Sequence, residues 1–111
     1  MQKFIFFYHA SPEAMQRMGS ASPEDQQAHF AKWQAWTESN AESLENAGTP
    51  LSGGQVLTAA GSSESTSTIM GYAILQAEDM AAAQAILKTD PFLDQGDGCS
   101  IEVYECMSMP G

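Results

Sequence analysis

The clearest pattern lies in residues 68–107, where the spacing of apolar positions changes from that of a strand to that of a helix and back. An almost unbroken apolar run over residues 69–75 predicts a buried strand. Asp79 then offers a helix cap before an alanine-rich segment that we expect to be helical from Met80 to Lys88. A further strand is expected after the Gly-Asp-Gly turn at residues 96–98. These residues therefore predict a strand, a helix and a strand.

The first half of the chain predicts a strand and then helix. Residues 3–9 form a strand whose two alternating faces are both apolar, and residues 12–19 allow a short helical turn. A Ser-Pro-Glu-Asp start and a later Gly-Thr-Pro stop predict one long helix over residues 22–47. We expect a strand at residues 51–57 and a serine-rich, mobile loop at residues 61–67.

One side of that long helix is expected to face the sheet. Apolar or small residues recur at steps of three and four, which is the spacing of a helical stripe. The stripe consists of Phe30, Trp33, Thr37, Ala41 and Leu44, with Trp36 at its edge.

The order of elements is βαββαβ, which predicts an α+β, ferredoxin-like domain spanning residues 1–111. In this plan an antiparallel sheet carries both helices on one face. The first and third strands are apolar on both sides, so the other face needs cover as well. At roughly 25 cal/mol per Å² of buried apolar area, packing the bare faces of two copies together is strongly favoured. We therefore predict a homodimer.

Charge narrows the possible partners. The chain has 14 acidic and four basic residues, and its net charge of −10 argues against nucleic acid and anionic membranes as partners. An anionic ligand would have to be held by a helix N-terminus, by backbone amides or by one of the four cations Lys3, Arg17, Lys32 and Lys88. The sequence has neither a run long enough to span a bilayer nor a recognisable leader, so we expect a cytoplasmic protein with reduced cysteines.

Six segments, in their order and spacing, suggest a family: KFIFFYH at 3–9, WQAW at 33–36, AGTPL at 47–51, GYAILQA at 71–77, DPFL at 90–93 and IEVYE at 101–105. Together they resemble the YCII-related domain, and the resemblance covers nearly the whole chain. It implies a ferredoxin-like subunit that forms a dimeric α+β barrel. Most members of the family lack an assigned activity.

The resemblance also implies a candidate catalytic pair. For part of the family, a histidine on the first helix and an aspartate before a proline after the second helix have been proposed to act together. Asp90, followed by Pro91, matches the aspartate. The position of the histidine is occupied here by Thr37, and His29 lies two turns earlier.

The residues themselves suggest a ligand site on the long helix. His29, Trp33 and Trp36 share one flank, where the histidine could act as a general base and the indoles could stack on a flat ligand. The alternative is a solvated histidine beside two core tryptophans. His9, at the end of the first strand, is a second candidate, because its ring could point into a cavity between sheet and helices.

Asp90 has two interpretations. A residue before proline is held outside the helical region, so this aspartate could cap the following turn. It could instead orient a histidine or accept a proton, which would require burial and a shifted pKa. No ligand spacing for a metal and no glycine pattern for a phosphate is present, so we predict neither metal nor cofactor.

The sequence thus predicts a small homodimeric protein with an apolar pocket between helix and sheet. We expect the pocket to bind a small organic molecule and treat it as the candidate site of cofactor-free acid–base chemistry. The candidate catalytic residues are His29, Asp90 and His9, and the candidate ligand-binding residues are Trp33, Trp36, Tyr8 and Tyr72. A dimeric interaction module without chemistry is the alternative, in which the tryptophans serve packing alone.

Overall fold

A computed structural model describes residues 1–109 of the chain. Its helices are α1 (Pro12–Gly19), α2 (Pro23–Ser39) and α3 (Met80–Leu87), and a 3₁₀ helix follows at Pro91–Gln95. Its strands are β1 (Gln2–Ala10), β2 (Leu44–Pro50), β3 (Gln55–Thr58), β4 (Gly61–Glu64), β5 (Ile69–Ala77) and β6 (Cys99–Glu105). None of the helices in this part of the chain is long and apolar enough to cross a membrane.

Four strands form one antiparallel sheet in the order β2-β5-β1-β6. The two long apolar strands, β1 and β5, lie in the centre, where both of their edges are paired. With the helices placed between β1 and β2 and between β5 and β6, this is the ferredoxin-like arrangement. The prediction of an α+β ferredoxin-like fold is confirmed, with the β3–β4 hairpin as an additional two-stranded sheet.

The helices begin where their capping residues occur. The Ser22 hydroxyl accepts from the amide of Asp25 at 3.1 Å, and the Asp79 carboxylate accepts from the amide of Ala82 at 2.8 Å. Each cap satisfies an amide that has no partner within the helix. Both starts agree with the sequence prediction.

The end of the long helix was predicted wrongly. Helix α2 ends at Ser39, and Asn40 caps it by donating its side-chain amide to the Trp36 carbonyl at 2.8 Å. The following residues form the edge strand β2, whose backbone pairs with β5. Gly48, expected to end the helix, lies within β2 with φ of 74°. Pairing with β5 satisfies the backbone of this segment and overrides its helical apolar spacing.

The region between β2 and β5 also differs from the prediction. The expected strand over residues 51–57 is replaced by β3, which begins only at Gln55. The first four residues of the expected serine-rich loop form β4, which pairs with β3 in register from Gln55 opposite Glu64 to Thr58 opposite Gly61. The hairpin is exposed, so it has no buried face to produce an apolar signal in the sequence.

The core lies between the sheet and the helices. Phe4, Phe6 and Leu75 are fully buried on the helix-covered face. From α2 the core receives mainly Trp36, which is 7% exposed, whereas Phe30 is 57% exposed. The predicted stripe was therefore wrong: α2 is rotated so that the flank carrying Trp33 and Trp36, and not the one carrying Phe30, faces the core.

The opposite face of the sheet carries apolar side chains without a covering layer within the described residues. In this open face Phe7 lies opposite Tyr72, and Ile5 lies opposite both Ile74 and Tyr104. Tyr104 is 50% exposed, and its ring packs edge-on against Phe7 at a centroid distance of 6.3 Å. The two-faced character predicted for β1 and β5 is confirmed, and the homodimer remains a prediction.

Candidate functional site

A cavity of about 500 Å³ lies between the two N-terminal helices and the end of the sheet where β1, β2 and β5 meet. Its walls come from α1, α2, β1, β2, β5 and the 3₁₀ helix. The larger apolar lining side chains are Met18, Phe30, Trp33, Pro50, Met70 and Phe92. This volume is typical of sites that bind small molecules.

Tyr8 connects this cavity to a buried carboxyl group. The alternation of β1 places Tyr8 on the helix-covered face, where it lines the cavity and is 8% exposed. Its hydroxyl donates to Oδ2 of Asp90 at 2.6 Å and accepts from Nε1 of Trp33 at 3.1 Å. The ring packs edge-on against Phe92, with centroids 4.9 Å apart. Phenol, indole and carboxyl thus form one hydrogen-bonded row.

Asp90 is placed by the proline that follows it. Its φ of −67° and ψ of 122° are extended, and its Oδ1 accepts from the amide of Phe92 at 2.9 Å, which caps the 3₁₀ helix. Asp90 is only 1% exposed and is the one buried charged residue within residues 1–109. The capping interpretation is confirmed, and the burial that the chemical interpretation required is present as well.

Burial changes the acidity of both partners. It raises the pKa of Asp90, an effect that the hydrogen bonds from Tyr8 and Phe92 oppose. It also raises the pKa of Tyr8, and the negative charge of Asp90 adds to the increase. The phenol therefore keeps its proton and shares it with a carboxylate that is more basic than usual. Such a pair can give a proton to a ligand or accept one.

His29 lies in the wall of the same cavity, contributed by the flank of α2 that carries Trp33. It is half-buried. Within residues 1–109 no hydrogen bond joins either histidine to Asp90, whose partners are Tyr8 and the Phe92 amide. The hydrogen-bonding partner of Asp90 is thus a tyrosine, and the catalytic role of His29 stays a prediction.

The expected position of His9 was wrong. Its ring lies on the open face of the sheet, because it alternates with Tyr8 along β1. There Nδ1 lies 2.8 Å from Oγ1 of Thr68, and Nε2 lies 2.7 Å from Oε1 of Glu102. His9 is not among the residues that line the cavity, and its ring nitrogens contact Thr68 and Glu102 rather than Asp90.

Three of the four predicted ligand-binding aromatic residues border the cavity. Trp33 and Tyr8 belong to its lining, and Tyr72 does too, although its register opposite Phe7 puts it on the open face. Trp36 does not: it is buried in the core, and its Nε1 donates to Oγ1 of Thr89 at 2.8 Å. The expectation that Trp36 would line the site was wrong, because its indole is buried in the core between helix and sheet.

Several lining residues were not found from the sequence. Arg17 and Met18 of α1 line the cavity, as do residues 47–50 of β2 and Phe92. The β2 residues were missed because this segment was assigned to the end of the long helix and to the cap and stop that follow it. The DPFL motif did contain Phe92, but nothing in its spacing connected it with Tyr8, 84 positions earlier in the chain.

No three histidine, cysteine, aspartate or glutamate side chains cluster as metal ligands in residues 1–109. Both cysteines, Cys99 and Cys106, are free thiols. Burial raises the pKa of the Cys99 thiol, which makes it less reactive than an exposed cysteine.

Comparison with solved structures identifies a similar fold in the 5-chloro-2-hydroxyhydroquinone dehydrochlorinase of Burkholderia phenoliruptrix AC1100, determined in complex with 2,5-dihydroxybenzoquinone. The match has a TM-score of 0.55 and 18% sequence identity, and it covers 90% of each chain. At this identity the likeness concerns the fold. A comparison with curated proteins finds no match. The YCII-related domain matches residues 3–107, and the chain therefore belongs to the YCII-related domain family.

Proposed function

We propose that this protein is a cytoplasmic homodimer that binds a small aromatic molecule in the cavity of each subunit. Tyr8 and Asp90 then move a proton to or from the bound ring without a cofactor. The observation that carries the proposal is the hydrogen bond between the Tyr8 hydroxyl, in the lining of an apolar cavity, and a carboxyl group that is almost completely buried.

The lining of the cavity supports an aromatic ligand. Phe30 and Trp33 lie next to each other in its wall, with ring centroids 6.0 Å apart and planes inclined by 31°. Phe30 is more than half exposed, so a ligand that covers it removes apolar surface from water. Flat rings gain further stabilisation from offset or edge-on contacts with such side chains.

The Tyr8–Asp90 pair supports proton transfer. A proton taken from a ligand by the Tyr8 oxygen can be balanced by passing the phenol's own proton to Asp90. The reverse sequence protonates the ligand. Because burial raises the pKa of Asp90, its carboxylate is a stronger base than an exposed one and accepts the proton of the phenol more readily. His29, in the same wall, is a second group that can exchange protons with a ligand.

The dehydrochlorinase with a similar fold adds support. By its name, that enzyme removes hydrogen chloride from a hydroxylated aromatic ring, and its structure contains a hydroxylated quinone. Removal of hydrogen chloride includes the removal of a proton. A related use of the present cavity would require acid–base groups and an aromatic-lined wall, and both are present.

The open face supports the dimer, because Ile5, Phe7 and Ile74 would leave water when two sheets pack together. Sedimentation at micromolar concentration tests this part of the proposal. A dimer of about twice 11.9 kDa is expected. A folded species at 11.9 kDa alone would refute it. The free thiols suit the reducing compartment assumed for the protein.

The proton-transfer step can be tested with 2,5-dihydroxybenzoquinone as a probe. NMR in deuterated water would follow the exchange of its ring hydrogens with and without the protein. We expect the protein to accelerate exchange and Asp90→Asn to reduce that acceleration by roughly a hundredfold, which is the lower range for general acid–base catalysis. His9→Gln is the control and should leave the rate unchanged.

Equal exchange rates in the parent protein and in Asp90→Asn would refute the role of the pair. A protein that binds neither this probe nor other small aromatic molecules would favour the interaction module instead. Such a result would remove the ligand site altogether.

A further inference from the structure

The charges around the cavity differ from those of the whole chain. Fourteen acidic residues outnumber the basic ones and give the chain a net charge of −10. Within the described residues, however, no aspartate or glutamate lines the cavity, and Arg17 does. Arg17 is the only arginine in the sequence. The cavity is therefore a local exception to a strongly acidic protein.

Arg17 is held in place by the backbone of the turn that precedes β6. Its Nη2 donates to the carbonyl of Gln95 at 3.0 Å and to that of Asp97 at 2.8 Å. Gly96 lies against the guanidinium, since a Cβ added there would come within 3.1 Å of Nη2. These contacts use both hydrogens of Nη2. The guanidinium also interacts with the Cys99 thiol, where it opposes the rise in pKa caused by burial. A guanidinium has five N–H donors, so donors remain for a ligand.

The charge of Arg17 is not neutralised by an ion pair. Two salt bridges are found in residues 1–109, Lys3 with Glu45 and His9 with Glu102, and neither includes the arginine. Backbone carbonyls orient the guanidinium but leave its full positive charge. A fixed cation with free donors is the usual partner of a carboxylate or another oxyanion.

We infer that Arg17 makes the cavity selective for anionic aromatic molecules, namely rings that carry a carboxylate or an ionised hydroxyl group. This inference rests on the proposed function and specifies its substrate class. Arg17 is exposed and marks the mouth of the cavity, whereas Tyr8 is 8% exposed and marks the inner end. A bound ring directs its anionic group toward Arg17 and the rest of the ring toward Trp33 and Tyr8.

Because the rest of the surface is acidic and repels anions, the selectivity for anionic rings depends on Arg17 alone among the residues that line the cavity. A net charge of −10 repels anions at long range, and salt screens that repulsion with a Debye length of about 8 Å at 0.15 M. The contact at Arg17 is much shorter than this length and is screened less. Higher ionic strength should therefore accelerate the association of an anionic ring.

Benzoate and benzamide provide a test, because they have nearly the same size and shape but differ in charge. Titration calorimetry would compare their affinities for the parent protein, Arg17→Gln and Arg17→Lys. We expect the parent to bind benzoate more tightly than benzamide. In Arg17→Gln this preference should fall about tenfold, which is the contribution expected of one charge-assisted hydrogen bond. Arg17→Lys should retain part of it. Benzamide binding should change little in either variant.

Lys32→Gln is the matched control. It removes the same unit of charge from an exposed cation of α2 that does not line the cavity, so the preference for benzoate should stay as in the parent. Thermal melting of each variant would show that all are folded.

The outcomes separate the two proposals. Equal binding of benzoate and benzamide to the parent, or an unchanged preference in Arg17→Gln, would overturn the role of Arg17 and leave the aromatic site intact. A parent protein that binds neither compound, nor 2,5-dihydroxybenzoquinone, would overturn the proposed function and this inference with it.

Discussion

Replacing Tyr8 by phenylalanine tests the hydrogen-bonded row most directly. The change removes one oxygen and keeps the ring that packs against Phe92. It leaves Asp90 with the amide of Phe92 as its remaining donor among the described residues and takes the acceptor away from the Trp33 indole. Trp33 lines the cavity, so water can replace its lost partner. Asp90 is 1% exposed, and water cannot reach it without a rearrangement.

The expected cost follows from this asymmetry. A buried polar group left without its partner costs about 1–3 kcal/mol, and a charged group lies toward the upper end. We expect Tyr8→Phe to lower the free energy of unfolding by roughly 2 kcal/mol at pH 7. For a domain of this length, that corresponds to a fall in melting temperature of about 8 °C.

The stability lost in Tyr8→Phe should be larger at neutral pH than at acidic pH. The pKa of Asp90 is raised in the folded protein, so its contribution to stability is complete below the unfolded value of about 3.9 and declines as pH rises through the folded pKa. The Tyr8 hydroxyl opposes this rise by donating to the carboxylate. Without the hydroxyl the folded pKa rises further. The difference in stability between parent and variant should therefore be smaller at pH 4 than at pH 7.

Urea unfolding of the parent and Tyr8→Phe between pH 4 and pH 8 would measure both effects. Ser20→Ala is the control, since it removes an exposed hydroxyl that donates to the Gln16 carbonyl and lies outside both the cavity and the open face, so it should cost less than about 0.5 kcal/mol. In an Asp90→Asn background, Tyr8→Phe should lose its pH dependence. If Tyr8→Phe costs no more than the control, or costs the same at pH 4 and pH 7, the account of a buried shared proton is wrong.

Three further predictions concern other parts of the molecule. Gly48→Ala should lower the free energy of unfolding in urea by more than about 3 kcal/mol, because its Cβ would lie 1.6 Å from the Tyr72 carbonyl oxygen. Gly53→Ala is the control: its Cβ would meet open space, so it should cost about 1 kcal/mol. Phe7→Glu places a charge in the open face and should give monomers in sedimentation. Trp36→Phe removes the bond to Thr89 and should lower stability by about 1 kcal/mol, with no change in calorimetric binding of benzoate.

The fold could be predicted because its decisive signals are local. The apolar runs of β1 and β5 and the capping residues Ser22 and Asp79 each mark an element through neighbouring residues alone. The error at the end of α2 arose where local signals compete, since Leu44 continues a helical spacing but pairs with Leu75 of β5. That pairing involves residues far apart in sequence, and a pattern along one segment does not contain it.

The site was only partly predictable for the same reason. Trp33 and His29 were found because they share a helix flank. The contact between Tyr8 and Asp90 joins residues 82 positions apart, and alternation along β1 shows only that Tyr8 shares a face with Phe6. The hypothesis of a His–Asp pair placed the aspartate in a chemical role but gave it the wrong hydrogen-bonding partner.

The two roles considered for Asp90 are compatible, because its carboxyl group has two oxygens that serve them separately. Oδ1 accepts from the Phe92 amide and fixes the 3₁₀ helix, while Oδ2 accepts from Tyr8. The capping bond holds the carboxyl group in a place where water is excluded, and this burial is what raises its pKa. The same turn continues to Gln95 and Gly96, which position Arg17 at the mouth of the cavity. One short segment, Asp90 to Asp97, thus orients both the group proposed to exchange protons and the cation proposed to select the ligand.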